Sequence, residues 1–483
     1  MNSARTNPDH PLKVVLVQPP LRNVVPAATP DYVDENRGHT PPLGLLYLHA
    51  SIRRAGHQAI FLDADLKGWD HLTAAREALS HDPDIIGIQA MTFTLPDASR
   101  LARCIKKISS VPVVMGGPHA TVYPRETAAL EWVDFAFAGE GEIHFVDFLN
   151  HFHHPRRWPG IEGLAYFCNR RFTYTPQRHY LRDIDRIPIP ARENSDYQRY
   201  SSVLAKRNPI TTMITSRGCP FNCIFCNRMG RQYRYHSAEY VLAEMKEIHR
   251  LGIREIFIHD DTFTLKKSRI QSICRGLIKS DLDLIWECRT RVDLVDEALL
   301  TLMKAAGCHR ISFGVESGSG RVLKAMRKDI RISQVRQVFR WCRKLGIITL
   351  ADFMFGNLDE ETEDIRKTRQ LARQLNPDYI QFSILSPYPD TPIYHLARER
   401  GLIPNDIWQE FARNPLMKFE SPVWTQHFSR EELVAMTRKA YRSFYLRPRF
   451  ILRQLFRIRS LEQLRTNIRG ALGMLRRRSP SPD

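Results

Sequence analysis

From Lys13 to about Asn150, short apolar runs alternate with amphipathic stretches. The runs are Val14–Val17, Ala59–Leu62, Asp84–Gln89, Val111–Met115 and Phe135–Ala138; between them, Leu43–Arg54, His71–Leu79 and Pro96–Ser109 space their apolar residues as helices do. Strands and helices alternating at this interval predict a doubly wound parallel α/β sheet, and such sheets bind ligands beyond the carboxyl ends of their strands. Residues 151–208 break the pattern: HHPRRWPG reads as a loop, Ile161–Pro176 as a hairpin, and the prolines of RIPIPAR as an extended linker. Alternation then resumes. A strand at Ile210–Thr215 is followed by a helix from Ser237 to Gly252 and by strands at Glu255–His259, Leu284–Cys288, Arg310–Gly314, Ile347–Phe355 and Tyr379–Leu385. About six βα units predict a partial or full (β/α) barrel with its site at the carboxyl ends of the strands. The expected organisation is an α/β domain over 1–150, a linker with a hairpin over 151–208, a barrel over 209–402 and a helical, basic extension over 403–483.

Length and composition change this picture little. At 483 residues the chain is too long for one core, and 43% hydrophobic with 25% charged residues is ordinary for a globular protein. The first ten residues are polar and lack the apolar core of a signal peptide, and no stretch is apolar enough to span a bilayer. Nine cysteines then point to a reducing cytoplasm, where thiols serve metals. The net charge of +19 invites a nucleic-acid reading. Its distribution argues against one: thirteen Lys or Arg and a single acid, Glu462, lie between Arg438 and Arg478, so much of the excess belongs to the tail.

The decisive stretch is Thr215–Asn227, TSRGCPFNCIFCN, with Cys219, Cys223 and Cys226 spaced C-x3-C-x2-C behind a strand. Three thiolates this close can hold three corners of a cubane cluster. The next cysteine is Cys274, so the fourth iron is left open, as catalytic metal positions are. A zinc knuckle is the alternative, with His236 as its fourth ligand.

The spacing, Phe225 before the last cysteine and the barrel downstream resemble the radical SAM superfamily over Ile210 to about Leu402. The resemblance implies that a 4Fe-4S cluster binds S-adenosylmethionine (SAM) at its open iron. One electron, from an external donor of flavodoxin or ferredoxin type, then releases a 5′-deoxyadenosyl radical. It also implies an acid for the SAM ammonium, here Asp260 or Asp261 in His259-Asp-Asp-Thr-Phe263, the alternative being a helix cap by Asp261 or Thr262. A guanidinium for the SAM carboxylate is expected from Arg289-Thr-Arg291, with Arg291 favoured and a surface ion pair as the alternative. Glu316, in Ser312–Ser319, is expected at the ribose or in a structural turn. Two loops depart from the family pattern: Gly356-Asn-Leu-Asp-Glu-Glu361 replaces a Gly-x-Pro-Gly-Glu turn, and Asp390 stands where glycine is common.

Over Lys13–Leu149 the chain resembles the cobalamin-binding domain that precedes many radical SAM barrels. Gly116-Gly117 after the fourth strand leave room for a bulky cofactor. Ala90-Met91-Thr92 supply a small hydroxyl-bearing segment, with Thr92 the expected contact. Pro41-Pro-Leu-Gly44 and Gly139-Glu-Gly-Glu142 complete the pattern. Cobalamin mutases place a cobalt-ligating histidine after the first strand, but here that loop reads Gln18-Pro-Pro-Leu-Arg-Asn-Val24. An open lower corrin face is therefore expected, with His119 packing or capping. A flavodoxin-like or nucleotide-binding domain is the alternative, although no Gly-x-Gly-x-x-Gly follows the first strand.

Together these expectations describe a cobalamin-dependent radical SAM enzyme. The leading activity is methylation of an unactivated carbon in a small-molecule or lipid-like substrate. Oxidative cyclisation of the magnesium-protoporphyrin monomethyl ester cyclase type stands second, and a corrinoid carrier or sensor without catalysis third. The Arg-rich stretch from Arg430 to Arg478, with Phe444, Tyr445, Phe450, Ile451 and Leu452 interleaved, packs on the barrel in one reading. In another it meets an anionic membrane at the inner surface of the cell, and RNA is the least expected partner.

Overall fold

The computed structural model describes residues 11–26, 38–227 and 232–455. The first sheet contains β1 (Lys13–Gln18), β2 (Gln58–Asp63), β3 (Ile85–Gln89), β4 (Val113–Gly116), β5 (Phe135–Phe137), β6 (Leu164–Cys168) and β7 (Arg171–Tyr174), in the order β2-β1-β3-β4-β5-β6-β7. The first five are parallel. β1 reads VVLV without alternation because helices cover both its faces. Val15 and Val17 pack with the helices His71–Ser80 and Leu95–Ile108, while Val14 and Leu16 pack with Leu43–Arg54 and Gly141–Asn150. Gly87 suits this packing, since a Cβ there would lie 2.8 Å from Leu16 Cδ2 and that side chain would have to shift. The hairpin, which the sequence pattern leaves in the linker, instead docks antiparallel on β5 and extends the sheet by two strands. The order 2-1-3-4-5 reverses direction at β1 and β3, the point where doubly wound sheets take their ligands.

The second sheet contains β8 (Ile210–Met213), β11 (Glu255–Ile258), β12 (Ile285–Thr290), β13 (Cys308–Glu316), β14 (Ile348–Phe355) and β15 (Tyr379–Ile384), parallel throughout in that order. A short antiparallel ladder, β9 (Ser216–Arg217) with β10 (Arg234–Tyr235), brackets the cysteine loop. One face of the parallel strands (Ile256, Trp286, Phe313, Phe353 and Phe382) packs on the surrounding helices. The opposite face looks into the barrel. At the β15 edge, the helix Arg430–Tyr445 covers backbone groups that would otherwise be open. Tyr441 Oη accepts from Phe382 N at 2.9 Å and donates to Phe382 O at 3.2 Å; Tyr445 treats Ile380 likewise, at 3.2 and 3.1 Å. This part of the basic tail is thus committed to the barrel, and residues 456–483 lie outside the described residues. Among the described residues, no helix is long and apolar enough to cross a membrane.

The two sheets turn their carboxyl ends toward each other. Val15, Ile88 and Leu95 of the first share an apolar cluster with Leu385, Trp408 and Trp424, which follow the last barrel strand. Phe93 meets Tyr388 edge-on at 5.3 Å between ring centroids, and Tyr200 Oη donates to Asp63 at 2.8 Å.

Candidate functional site

The cysteine loop is anchored from beneath. Asp260, wholly buried, accepts Thr215 N at 2.5 Å, Ser216 N at 3.1 Å and both hydroxyls at 2.6 Å. Arg269 adds bonds to Thr215 O at 2.8 Å and His236 O at 2.7 Å. These contacts fix where the chain leaves β8, and Gly218 at φ 82° turns it into Cys219. Ile224 closes the loop, donating to Met326 O and accepting from Ile393 N. Cys223 is buried, Cys219 half-buried and Cys226 exposed. Desolvation by the surrounding protein raises the Cys223 thiol and, with the nearby Asp261 carboxylate, pushes the Cys226 thiol up to about 11, so both stay protonated at neutral pH unless a metal displaces the proton. Two cations flank them: Arg291 stacks 3.8 Å from the Phe221 ring centroid with Nη1 3.9 Å from Cys223 Sγ, and Lys328 Nζ lies 5.8 Å from the Phe225 ring.

A loop carrying three thiols, flanked by cations that offset anionic charge, suits an iron–sulfur cluster. His236, which a zinc knuckle would recruit, is spent elsewhere: Nδ1 meets Asp185 at 3.0 Å and the ring stacks on Tyr240 at 3.8 Å. Among the described residues, no three His, Cys, Asp or Glu converge as ligands of a single metal ion.

The adjacent acids separate. Asp260 turns to the backbone of the loop, while Asp261 is exposed beside the cysteines and its carboxylate has no hydrogen bond among the described residues. Partial desolvation beside the loop first, then the neighbouring Asp260, raises the Asp261 pKa, and Arg289 opposes the rise. Arg291 is engaged by Asp293, with Nε and Nη2 both at 2.9 Å from its carboxylate, and by Lys328 O at 2.6 Å. Glu316, at φ 64° where β13 bulges, pairs with Lys328 Nζ at 2.9 Å. Gly314 makes room for that pair, since a Cβ there would lie 2.5 Å from Glu316 Oε1.

On the facing sheet, Thr92, Gly116, Gly117 and His119 gather at the carboxyl ends of β3 and β4. Gly117 takes φ 112°, and a Cβ there would strike Ala90 O at 2.8 Å; a Cβ on Gly116 would meet nothing closer than 3.7 Å. His119 is fully buried, with Nδ1 3.4 Å from Thr92 Oγ1 and its ring against Tyr123. Burial lowers its pKa to about 3 and keeps it neutral. Around this face Leu21, Val24, Met91 and Ile143 are exposed apolar side chains on the loops and helix that follow β1, β3 and β5. An open glycine surface rimmed with exposed apolar groups fits a flat, largely apolar macrocycle.

Sequence reasoning singled out Gly139-Glu-Gly-Glu142 but not its partners. Arg217, two residues before Cys219, forms ion pairs with Glu142 and, at 3.3 Å, with Glu140. Arg234, opposite Arg217 on the β9–β10 ladder, holds Glu140 at 2.5 and 2.9 Å. The carboxyl end of β5 is thereby clamped to the root of the cysteine loop. Lys328 was also missed, because its role comes from a partner twelve residues away.

A family model of the Radical SAM superfamily matches residues 213–372, and one of the B12 binding domain matches residues 31–149. The chain is 35% identical to an uncharacterized methyltransferase of Pyrococcus horikoshii, over 92% of this chain and 95% of that protein. It is 27% identical to the anaerobic magnesium-protoporphyrin IX monomethyl ester cyclase of Rubrivivax gelatinosus, over 86% of this chain and 76% of that one. Its fold is that of the radical S-adenosylmethionine methyltransferase TsrM of Kitasatospora setae, with a TM-score of 0.68 at 21% identity, covering 81% of this chain and 77% of the other.

Proposed function

We propose that this chain, which belongs to the cobalamin-dependent radical SAM family, methylates an unactivated carbon of a small-molecule or lipid-like substrate. The observation that carries the reading is the clamp of Glu140 and Glu142 on Arg217 and Arg234, which ties the cysteine loop to the glycine-lined face. Two cofactor sites joined this closely suit a reaction that needs both.

Cys219, Cys223 and Cys226 would hold a 4Fe-4S cluster with one iron open, and Thr92, Gly116 and Gly117 would seat the corrinoid. When bound, the cluster–SAM pair supplies one-electron chemistry able to remove hydrogen from carbon, and the corrinoid supplies a transferable methyl group. Asp261, exposed and unspent, would accept the SAM ammonium, while Asp260 fixes the loop beneath it. Arg291 and Lys328 would offset the negative charge of the thiolates, and Phe225 would wall the cluster. With Glu316 committed to Lys328, the ribose would be held by other groups. The apolar rim around the facing sheets excludes water from the reacting atoms.

The loop after β1 offers no histidine and His119 is enclosed, which supports a corrinoid without a protein imidazole on its lower face. A corrinoid held by Thr92, Gly116 and Gly117 in this way would supply methyl-transfer chemistry. An external one-electron donor of flavodoxin or ferredoxin type, met in the cytoplasm, completes the scheme. Oxidative cyclisation is the competing reading, favoured by the cyclase relative. The test is anaerobic turnover with methyl-deuterated SAM. A deuterated methyl group in product, with S-adenosylhomocysteine and 5′-deoxyadenosine in near-equal amounts, is expected; unlabelled product with 5′-deoxyadenosine alone would refute methylation.

A further inference from the structure

The inward face of the barrel divides into spent and unspent charge. Near the start of the strands Arg310 is ion-paired with Glu287 and also donates to Leu204 O. That pair leaves no charge for a ligand. Two residues further along each strand the arrangement changes. The register Ile258↔Cys288 sets His259 beside Arg289, Arg289 faces Ser312, and Asp352 faces Gln381. Ser312 Oγ donates to Asp352 Oδ2 at 2.8 Å and joins the two halves. One row, His259–Arg289–Ser312–Asp352–Gln381, thus crosses five adjacent strands, with a step of two residues between β13 and β14, where Ser312 lies opposite Leu350 and Asp352 opposite Gly314.

Alternation puts the intervening residues, Cys288, Phe313 and Phe353, in the outer core, so the row looks into the lumen. His259 and Arg289 are exposed there, although they lie inside the barrel. Arg289 makes no hydrogen bond or ion pair with any described residue, and the His259 imidazole has no hydrogen bond. Arg291 and Lys328, the two cations that flank the cysteines, are both paired. The carboxylates of Asp261 and Asp352 lie near enough to Arg289 for its charge to lower their pKa values, but neither forms an ion pair with it, so its donors stay open to an incoming anion.

We propose that this row is the substrate-recognition subsite and that it takes a carboxylate or phosphate group of the substrate on Arg289. The proposal rests on the reading that the barrel binds SAM and substrate together. His259 and Gln381 supply flanking hydrogen bonds. Asp352, raised to about 6 by burial and by the nearby Glu316, accepts from Ser312 Oγ and fixes that hydroxyl at the centre of the row. Asp261, on the next turn of the chain, is left for the SAM ammonium, so the two ligands divide the unspent charges between them. The substrate therefore enters the barrel by an anionic end and is not a hydrocarbon throughout.

The experiment uses the reconstituted full chain and small-molecule extract of the native cells, split by anion exchange into retained and unretained fractions. The measured quantity is the ratio of 5′-deoxyadenosine release with a fraction to release without it, so each variant serves as its own baseline. The retained fraction should stimulate the wild type, and Arg289→Gln should need about tenfold to a hundredfold more of it for the same ratio. Arg289→Lys should recover part of the loss, which a structural defect would not. Iron content and the cluster absorption spectrum verify that each variant is assembled. Stimulation confined to the unretained fraction, or equal stimulation of wild type and Arg289→Gln, would overturn the proposal. So would loss, in Arg289→Gln, of the SAM-induced shift in the electron paramagnetic resonance of the reduced cluster, because the guanidinium would then serve the cofactor. Methyl transfer itself is judged separately: the release ratio counts turnover of either reaction type, and only deuterium in the product reports methylation.

Discussion

Replacing Asp260 separates an anchoring role from a ligand-binding one. In Asp260→Asn, the amide oxygen can keep both backbone donors, Thr215 N and Ser216 N, while Nδ2 faces two hydroxyls that can rotate to accept from it. Only the charge assistance is lost, about 1–2 kcal/mol. In Asp260→Ala, two buried backbone N–H groups lose their acceptor, at about 1–3 kcal/mol each, and Arg269 loses its nearby counter-charge. The expected cost of the alanine variant is therefore about 3–6 kcal/mol. On a domain the size of the barrel this lowers the Tm on the order of 10 °C, against a few degrees for the asparagine variant. Because the anchored residues lead directly into Cys219, iron retained after anaerobic reconstitution should follow the same order: wild type, then Asn, then a nearly empty Ala protein. The assay pairs thermal unfolding with iron analysis and a SAM-binding titration. If Asp260 instead met the SAM ammonium, Asn and Ala would lose SAM binding equally, with iron content and Tm close to wild type. That pattern would refute the assignment of Asp261 as the acceptor.

Glu360, 1% exposed with Oε1 unpaired among the described residues, is raised by burial to about 7 from its ordinary 4.5. Its folded form holds a proton more tightly than its unfolded form, so stability falls as pH rises from about 4.5 through about 7 and stays lower above. Glu360→Gln should therefore gain Tm relative to wild type between pH 5 and pH 8, and a pH-independent difference would contradict the reasoning. His119→Ala should leave the absorption spectrum of hydroxocobalamin bound to the full chain unchanged; an altered axial signature would place the imidazole on cobalt.

The features legible in the sequence are those fixed by local spacing. Runs such as VVLV declare a strand buried on both faces, and C-x3-C-x2-C fixes the reach between thiols without knowledge of the remaining fold. What escaped depends on a distant partner. The hairpin Leu164–Tyr174 is readable as a hairpin, but its pairing with β5 is a tertiary choice. The tail's tyrosines show their spacing, Tyr441 and Tyr445, one helical turn apart; only the open edge of β15 explains why that face is aromatic.

The arginines after Cys288 show the same limit more sharply. Arg289 and Arg291 are two residues apart, so a strand continuing through both would point them to the same side. Sequence alone therefore gives no geometric ground to separate them, and the expectation falls on Arg291. The strand ends at Thr290, and the turn Val292–Leu294 brings Asp293 onto Arg291, so the guanidinium that looked available is paired while its neighbour stays free. Which face of β12 looks inward is decided by Trp286 and Cys288 entering the outer core, and a slip of one residue would send Arg289 into that core instead. The chemistry available to a substrate in this barrel is thus set by strand register as much as by residue type, and the unpaired charge on Arg289 appears only once the five strands are aligned.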